Sequence, residues 1–371
     1  MLEEKINGKI MFVGGTFDEN GGKESKIARQ VFQSLGMADS DSLYVNGGTF
    51  NDLEALLPKV RDYQQIYWFA NVDNDKPKLV KEIKRQNPAS ILITSKRNVD
   101  SKYSAADLVY HALSNKSNLV VEITSEKGKY FGRIIDPLGN IFQDYTSDFS
   151  QVAWSLGKRV DELSSYTRVG SKQIGPAKEI PDKENFFELI RKYGEQFHTL
   201  VHARPEAVNR FFGNASFRCE RGFPSFREGD LVYVSQRDVD KRYLNKEGFV
   251  AVKLELPIQY YGDKKPSVDT PIQVQLYQYY PGINYILHGH VYIKDAPFTS
   301  SVVPCGAMEE FEEIIKLFPE KEKEDFAVNL RGHGSLLLVH DLDYLRRIPY
   351  SARPSPEVHA EYENKEEEKQ K

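Results

Sequence analysis

INYILHGHVYI, residues 283–293, has the alternation of an extended strand. In a strand successive side chains face opposite ways, so Asn284, Ile286, His288, His290 and Tyr292 share one side. Tyr285, Leu287, Val291 and Ile293 share the other, with Gly289 among them. One face is therefore apolar and the opposite face carries two imidazoles two residues apart. Their Cα atoms would lie ~6.6–6.8 Å apart. Both rings can then reach a single ion at about 2.0–2.1 Å. A third imidazole, His333, stands in NLRGHGSLLLV (329–339) between Gly332 and Gly334, where a strand-like run begins. Flanking glycines permit the close backbone approach and unusual torsions that aim a ligand from a turn. Three histidines with an open fourth position is the layout of a catalytic divalent metal. The competing reading of the HGH string is a solvated strand face.

Outward from this stretch, residues 185–350 are rich in strand-like runs. They begin with the helical NFFELIRKYGEQFHTLV and include helices near 272–280 and at 307–318. Upstream, residues 1–165 alternate short β-branched runs with amphipathic ones. KIMFVG (9–14) precedes a Gly-rich loop and helical KESKIARQVFQSL, and SLYVNGG (42–48) precedes NDLEALLPKV (51–60), whose Leu53, Leu56, Leu57 and Val60 keep helical spacing. IYWFANV leads to KPKLVKEIKRQ and SILITS to AADLVYHALS. NLVVEIT then opens a hairpin through GKYFGRII to the turn DPLGN, before a last helix, FSQVAWSLGKRVDELS. Alternating strands and helices with short connections predict an α/β fold, here a Rossmann-like, doubly wound parallel sheet. GGTF occurs at 14–17 and again at 47–50, each at a predicted strand end, which suits neighbouring loops of one sheet. The aperiodic, polar segment 166–184 is expected as a linker. The charged tail, 351–371, is expected to be disordered.

The 371 residues are 40% hydrophobic and 28% charged, which is ordinary globular composition and fits two domains. Fifty Lys and Arg against 54 Asp and Glu give a net charge of −4, so neither nucleic acid nor an anionic membrane is an expected partner. Two cysteines, Cys219 and Cys305, are too few for a disulfide scaffold. No run reaches the ~18 apolar residues of a membrane helix, and the N-terminus lacks a signal-peptide pattern; a cytoplasmic protein is expected.

Four strings, two of which carry the histidines, occur in order along the second half of the chain. They are GNASFR (213–218), KPSVDTPIQVQLYQYYPGINYILHGH (265–290), VVPCGAMEEFEEI (302–314) and RGHGSLLLV (331–339). Together residues 210–347 resemble the class II aldolase/adducin family, nearest in motif to its metal-dependent sugar-phosphate aldolases and ribulose-phosphate 4-epimerases. The resemblance implies a C-terminal α/β/α domain with a mostly antiparallel central sheet. It implies Zn2+, or another divalent metal, on His288, His290 and His333. It gives Asp269, just before a helix, a catalytic role at the metal, alongside the plain helix-capping role open to Asp269 or Thr270. Gly213, Asn214, Ser216, Ser235 and Ser267 are implied to bind a substrate phosphate. The sequence departs from the family at Gln236, where Gly is common, and at Val268, which replaces a second serine. The stretch between His290 and His333 is short. The family's proton-transfer residue has no secure counterpart, Tyr292 and Asp295 being the nearby candidates.

The function so implied is a metal-dependent lyase or epimerase acting through an enediolate on a small sugar-phosphate-like substrate, in a homo-oligomer, a tetramer by the family's habit. The alternatives are a non-catalytic, adducin-like interaction protein, or a bifunctional protein whose N-terminal domain binds a nucleotide or related metabolite. VGGTFDENGG (13–22) could hold an anion at a helix start, but matches neither GxGxxG nor the Walker pattern. Tyr103 and Asp107 echo a short-chain dehydrogenase layout in which Asp107 stands where lysine is needed.

Overall fold

The computed structural model describes residues 9–37, 41–72, 78–99, 101–207, 213–219, 231–354 and 357–359. The chain divides into two compact units, Met1–Ser165 with Ser355–Lys371, and Tyr166–Pro354.

In the first unit, β1 (Ile10–Asp18), β2 (Ser42–Thr49), β3 (Gln65–Trp68), β4 (Asn71–Val72), β5 (Ile91–Val99) and β6 (Leu119–Glu126) are all parallel, and β2-β1-β3-β5-β6 are adjacent in that order. Between them run α1 (Lys26–Ser34), α2 (Phe50–Glu54), α3 (Lys78–Gln86) and α4 (Ala105–Asn115). The period-2 alternation of β1 feeds two cores. Met11 and Val13 pack with Leu53, Leu56, Val60 and Ile83 from the α2 and α3 side. Phe12 points the other way, its ring 5.5 Å from that of Phe32 in α1. The two GGTF strings come together as expected of neighbouring strand ends. A Cβ on Gly15, which has φ 81°, would sit 2.4 Å from the backbone nitrogen of Gly47, so neither strand end tolerates a side chain there.

The sheet continues antiparallel through β7 (Lys129–Ile135) and β8 (Asn140–Thr146), with α5 (Phe149–Ser165) packed on α1. Helix 51–60 is shorter than the spacing suggests. It breaks into α2 and a 3-10 turn, Leu57–Asp62, because Pro58 has no N–H to continue an α-helix. Asp107 closes a capping box with Ser104 at the start of α4, which accounts for it without dehydrogenase chemistry.

The second unit holds an eight-stranded sheet. Its members are β9 (Ser171–Gly175), β10 (Asn214–Arg218), β11 (Leu231–Ser235), β12 (Phe249–Lys253), β13 (Ile258–Tyr261), β14 (Tyr285–Gly289), β16 (Phe326–Leu330) and β17 (Gly334–Val339). The order β16-β17-β14-β10-β11-β12-β13-β9 is antiparallel except for β13 and β9. On one face α6 (Glu184–Leu200) buries Phe186, Phe187, Tyr193 and Phe197 against Phe217, Tyr233, Leu287 and Leu337. On the other, α7 (Thr270–Tyr279) and α8 (Glu309–Leu317) bury Ile272, Leu276 and Ile314 against Val232, Ile286 and Leu338. β15 (Tyr292–Ile293) leaves this sheet and pairs with β18 (Tyr350–Ser351), which follows the short α9 (Leu342–Leu345).

Two expectations need correction. The segment expected as a linker contains β9, which adds to the open edge of β13; five residues with no buried position left no periodic signal. Part of the tail is ordered as well. β19 (Glu357–Val358) pairs with β8, and His359 is buried against the Phe142 ring at 5.5 Å. Residues 355–356 and 360–371, like 1–8, lie outside the described residues. Among the described residues no helix is long and apolar enough to cross a membrane.

Candidate metal centre

β14 does carry His288, but the strand ends at Gly289, so His290 lies just beyond it rather than in register. The expectation of one apolar and one polar face also fails. Ile286 is packed in the α7 and α8 core and Leu287 in the α6 core, because the sheet is covered on both sides. Gly289 is required by packing: a Cβ there would come within 2.6 Å of the Phe197 ring. His333 occupies the turn between β16 and β17. Gly334 next to it has φ 156°, and a Cβ on it would fall 2.1 Å from the carbonyl oxygen of Gly289. That close approach brings the turn onto the end of β14.

The three rings converge. Their centroids are 4.9 Å (His288 to His290), 4.6 Å (His288 to His333) and 5.1 Å (His290 to His333) apart, and one nitrogen from each lies within 4.8 Å of the others. Two of the rings have their tautomers set by neighbours. His288 Nδ1 is 2.9 Å from the carbonyl oxygen of Ser335, which can only accept, so Nδ1 carries the hydrogen and Nε2 keeps its lone pair. His333 Nδ1 donates to Glu310 Oε1 at 2.7 Å and likewise leaves Nε2 as an acceptor. Both Nε2 atoms are buried without a hydrogen-bond partner. A buried lone pair without a donor is costly. A divalent cation satisfies such nitrogens, and carbonyl or carboxylate support of the far ring nitrogen is the usual arrangement of a metal-binding imidazole. The residues present therefore fit a divalent metal.

Electrostatics agree with that fit at His288 and His290. Burial, reinforced by the neighbouring His333, pushes His288 down to about 4, and burial with His288 and His333 nearby holds His290 well below its ordinary value. Neutral rings are what a cation requires. Burial also works against charge on His333, but the Glu310 carboxylate outweighs it and raises that ring. Glu310 itself is raised by burial, with His333 offsetting part of the effect.

Asp269 lies at the start of α7, where its side chain makes no capping bond. The plain capping role is therefore not realised. Its carboxylate instead accepts from Asn214 Nδ2 at 2.7 Å and from Cys305 Sγ at 3.0 Å, with Oδ2 4.0 Å from His288 Nε2. Burial alone would raise this acid, yet His333, His288 and the two hydrogen bonds hold it below the usual carboxylate range. Asp269, Cys305 and His333 also bring three possible ligand atoms together.

A pocket opens beside this centre. Gly213, Asn214, Ser267, Asp269, His290 and Cys305 line one part of it, and Gln236, Arg237, Asp238, Lys241 and Val268 the rest. Three of the five residues expected at a phosphate are thus present. Ser216 and Ser235 are not. Ser216 Oγ is bonded to the Tyr277 hydroxyl at 3.0 Å, and Ser235 Oγ accepts from the Ala215 N–H at 3.1 Å, both fully buried within the sheet. Arg218 of GNASFR ties down the end of α7, its Nη2 donating to the Tyr277 and Tyr280 carbonyls, and its Nε donates to the Ile283 carbonyl just beyond at 2.7 Å. Tyr292 accepts the Gly332 N–H on its hydroxyl at 3.0 Å, which braces the His333 turn. Asp295 sits in a turn with φ 64°.

Glu310, Cys305, Lys241 and Arg353 were not singled out by sequence reasoning. Arg353 donates to the His333 carbonyl at 3.1 Å. The run MEEFEEI marks an acidic amphipathic helix, but its pattern does not say which of its acids turns inward to a partner.

Residues 198–293 match the family model described as the Class II Aldolase and Adducin N-terminal domain. Over 64 residues, 17% of the chain, the sequence is 39% identical to a methylthioribulose-1-phosphate dehydratase from Picosynechococcus sp., of which it spans 30% of the length. Similar solved structures include an L-fuculose 1-phosphate aldolase (16% identity, 45% of this chain and 80% of that one, TM-score 0.32). Another is the N-terminal class II aldolase domain of a conserved protein from Thermoplasma acidophilum (15% identity, 45% of this chain and 88% of that one, TM-score 0.31). The match over 198–293 thus identifies a class II aldolase domain in the C-terminal part of the chain.

Proposed function

We propose that the C-terminal unit is a divalent-metal-dependent lyase or epimerase that works through an enediolate on a small sugar-phosphate-like substrate. The observation that carries this reading is the convergence of His288, His290 and His333 with two tautomers fixed by Ser335 and Glu310. A divalent cation held there supplies a Lewis acid that stabilises negative charge developing on adjacent substrate oxygens. The chain's own residues do the rest. Asn214 and Cys305 fix the carboxylate of Asp269, which His333 and His288 with these two hydrogen bonds keep ionised beside the pocket, so Asp269 is the group placed to take a proton from a substrate hydroxyl in aldol cleavage or from a substrate carbon in dehydration. Aldol cleavage, epimerisation and the dehydration named for the Picosynechococcus relative can each pass through such a stabilised anion.

Purified full-length protein should hold about one zinc or similar ion per chain by elemental analysis, and His288→Ala should lose it. Chain that takes up no divalent ion under any loading condition would leave the adducin-like, non-catalytic alternative in its place. For the N-terminal unit we propose the Rossmann-like, doubly wound arrangement, supported by the parallel order β2-β1-β3-β5-β6 and by helices against both faces.

A further inference from the structure

We propose that Lys241, assisted by Arg237, is the receptor for a small oxyanion carried by the substrate in the pocket that Asp269 and His290 line. The inference rests on the reading of that pocket as a substrate site. Lys241 is 4% exposed and heads a 3-10 turn, Lys241–Tyr243, capped by Asp240. α6 packs under this turn at Gly194, where a Cβ would already be 3.0 Å from the backbone of Lys241. The ammonium has three hydrogens to donate. One goes to the Val239 carbonyl at 2.8 Å, and among the described residues no carboxylate comes within ion-pairing distance of Nζ. Asp238, Asp240 and Asp269 favour its charge only from farther away. A buried ammonium with donors to spare, facing a pocket, is suited to hold an anion.

The rest of the pocket points the same way. Ser216 and Ser235 are turned into the sheet, where Ser216 bonds the Tyr277 hydroxyl and Ser235 Oγ accepts the Ala215 N–H. Val268 offers a methyl group where a hydroxyl would otherwise stand. Ser267 keeps a hydroxyl at the pocket, but the charged anchors there for an anion are Arg237 and Lys241, and burial lowers Lys241 only to about 8, so it stays largely protonated at neutral pH. Of the two acids in the pocket, Asp269 is already engaged by Asn214 and Cys305, and Asp238 favours the Lys241 charge without forming an ion pair with it.

The test uses the full chain, with and without zinc, titrated calorimetrically with inorganic phosphate and, separately, with malonate. One of the two should bind the natural protein and so name the anion as phosphate-like or carboxylate-like. Lys241→Met should weaken that binding at least tenfold and Arg237→Gln about threefold, with zinc content unchanged. Absence of binding by either anion overturns the proposal, as does equal binding by the Lys241→Met protein. It is also overturned if that variant loses zinc but keeps anion affinity, since Lys241 would then be a counter-charge for Asp269. Should Lys241→Met fail to fold by circular dichroism, Arg237→Gln and Lys241→Arg decide: the first must weaken binding and the second must keep it. Failure of the natural chain to bind zinc defeats the metal reading alone, because the anion titrations without zinc still report on Lys241.

Discussion

At the level of single residues, the centre depends as much on Glu310 as on the histidine it supports. The carboxylate fixes His333 Nδ1–H and adds negative charge that makes Nε2 a better ligand. Glu310→Gln keeps an acceptor but loses the charge, and is expected to cut metal affinity roughly tenfold; Glu310→Ala should approach a hundredfold, the range seen for supporting groups of this kind. Competition with a chelator of known affinity measures both. Unchanged affinity in the alanine variant would mean that Glu310 serves only the packing of α8. The difference in legibility between the two residues has a physical cause. HGH, and a histidine between glycines, are unusual strings that need a reason. Glu310 is one of four glutamates in a short helix, and only tertiary packing determines that it and Glu313 turn inward while Glu309 and Glu312 do not. Lys241 was hidden for the same reason, since nothing in RDVDKRY says that one lysine is buried.

Elements place these side chains, and the contact of β14 with α6 sets where the strand must stop. Gly289→Ala would press a methyl group into the Phe197 ring, at 2.6 Å if nothing moved. An overpacked site of this kind costs about 1–3 kcal/mol. The melting temperature of the second unit should fall accordingly, and pairing the change with Phe197→Leu should recover part of the loss. An additive double variant would show that the two do not share the contact. The strand, the helix and their contact could be anticipated in part. α6 and α7 follow from apolar spacing and from Pro271 in the first turn. The end of β14 did not, because the apolar alternation runs on through Val291 and Ile293 although the backbone leaves the sheet for β15. β9 is the converse case. Its five residues are held by the edge of β13 rather than by any periodicity of their own, and a partner strand more than eighty residues away leaves no local mark.

For the molecule as a whole, each unit has its own hydrophobic core, so each should answer to its own perturbation. In the first unit His111 is half-buried on α4, its Nε2 3.3 Å from the Thr94 hydroxyl; burial, with Lys96 adding to it, pushes this ring down to about 4. The unfolded chain, with histidine near 6.5, takes up that proton first on acidification. The contribution of neutral His111 is therefore complete above pH ~6.5 and is lost as pH falls toward about 4, amounting to at most about 3 kcal/mol. His111→Gln cannot acquire the charge, so the unfolding transition of the first unit should flatten over that window. In the second unit the proposed ion would add to the stability of the cores, by about 4 kcal/mol when free metal exceeds its dissociation constant a thousandfold. Chelation at pH 7.5 should lower only the transition carrying the second unit, and zinc should restore it. Calorimetric scans of the full chain, natural and His111→Gln, with and without chelator at pH 7.5 and 5, separate the two effects. A chelator shift confined to the first unit's transition, or a His111→Gln protein as acid-sensitive as the natural one, would contradict the assignment of metal to one unit and the buried neutral ring to the other.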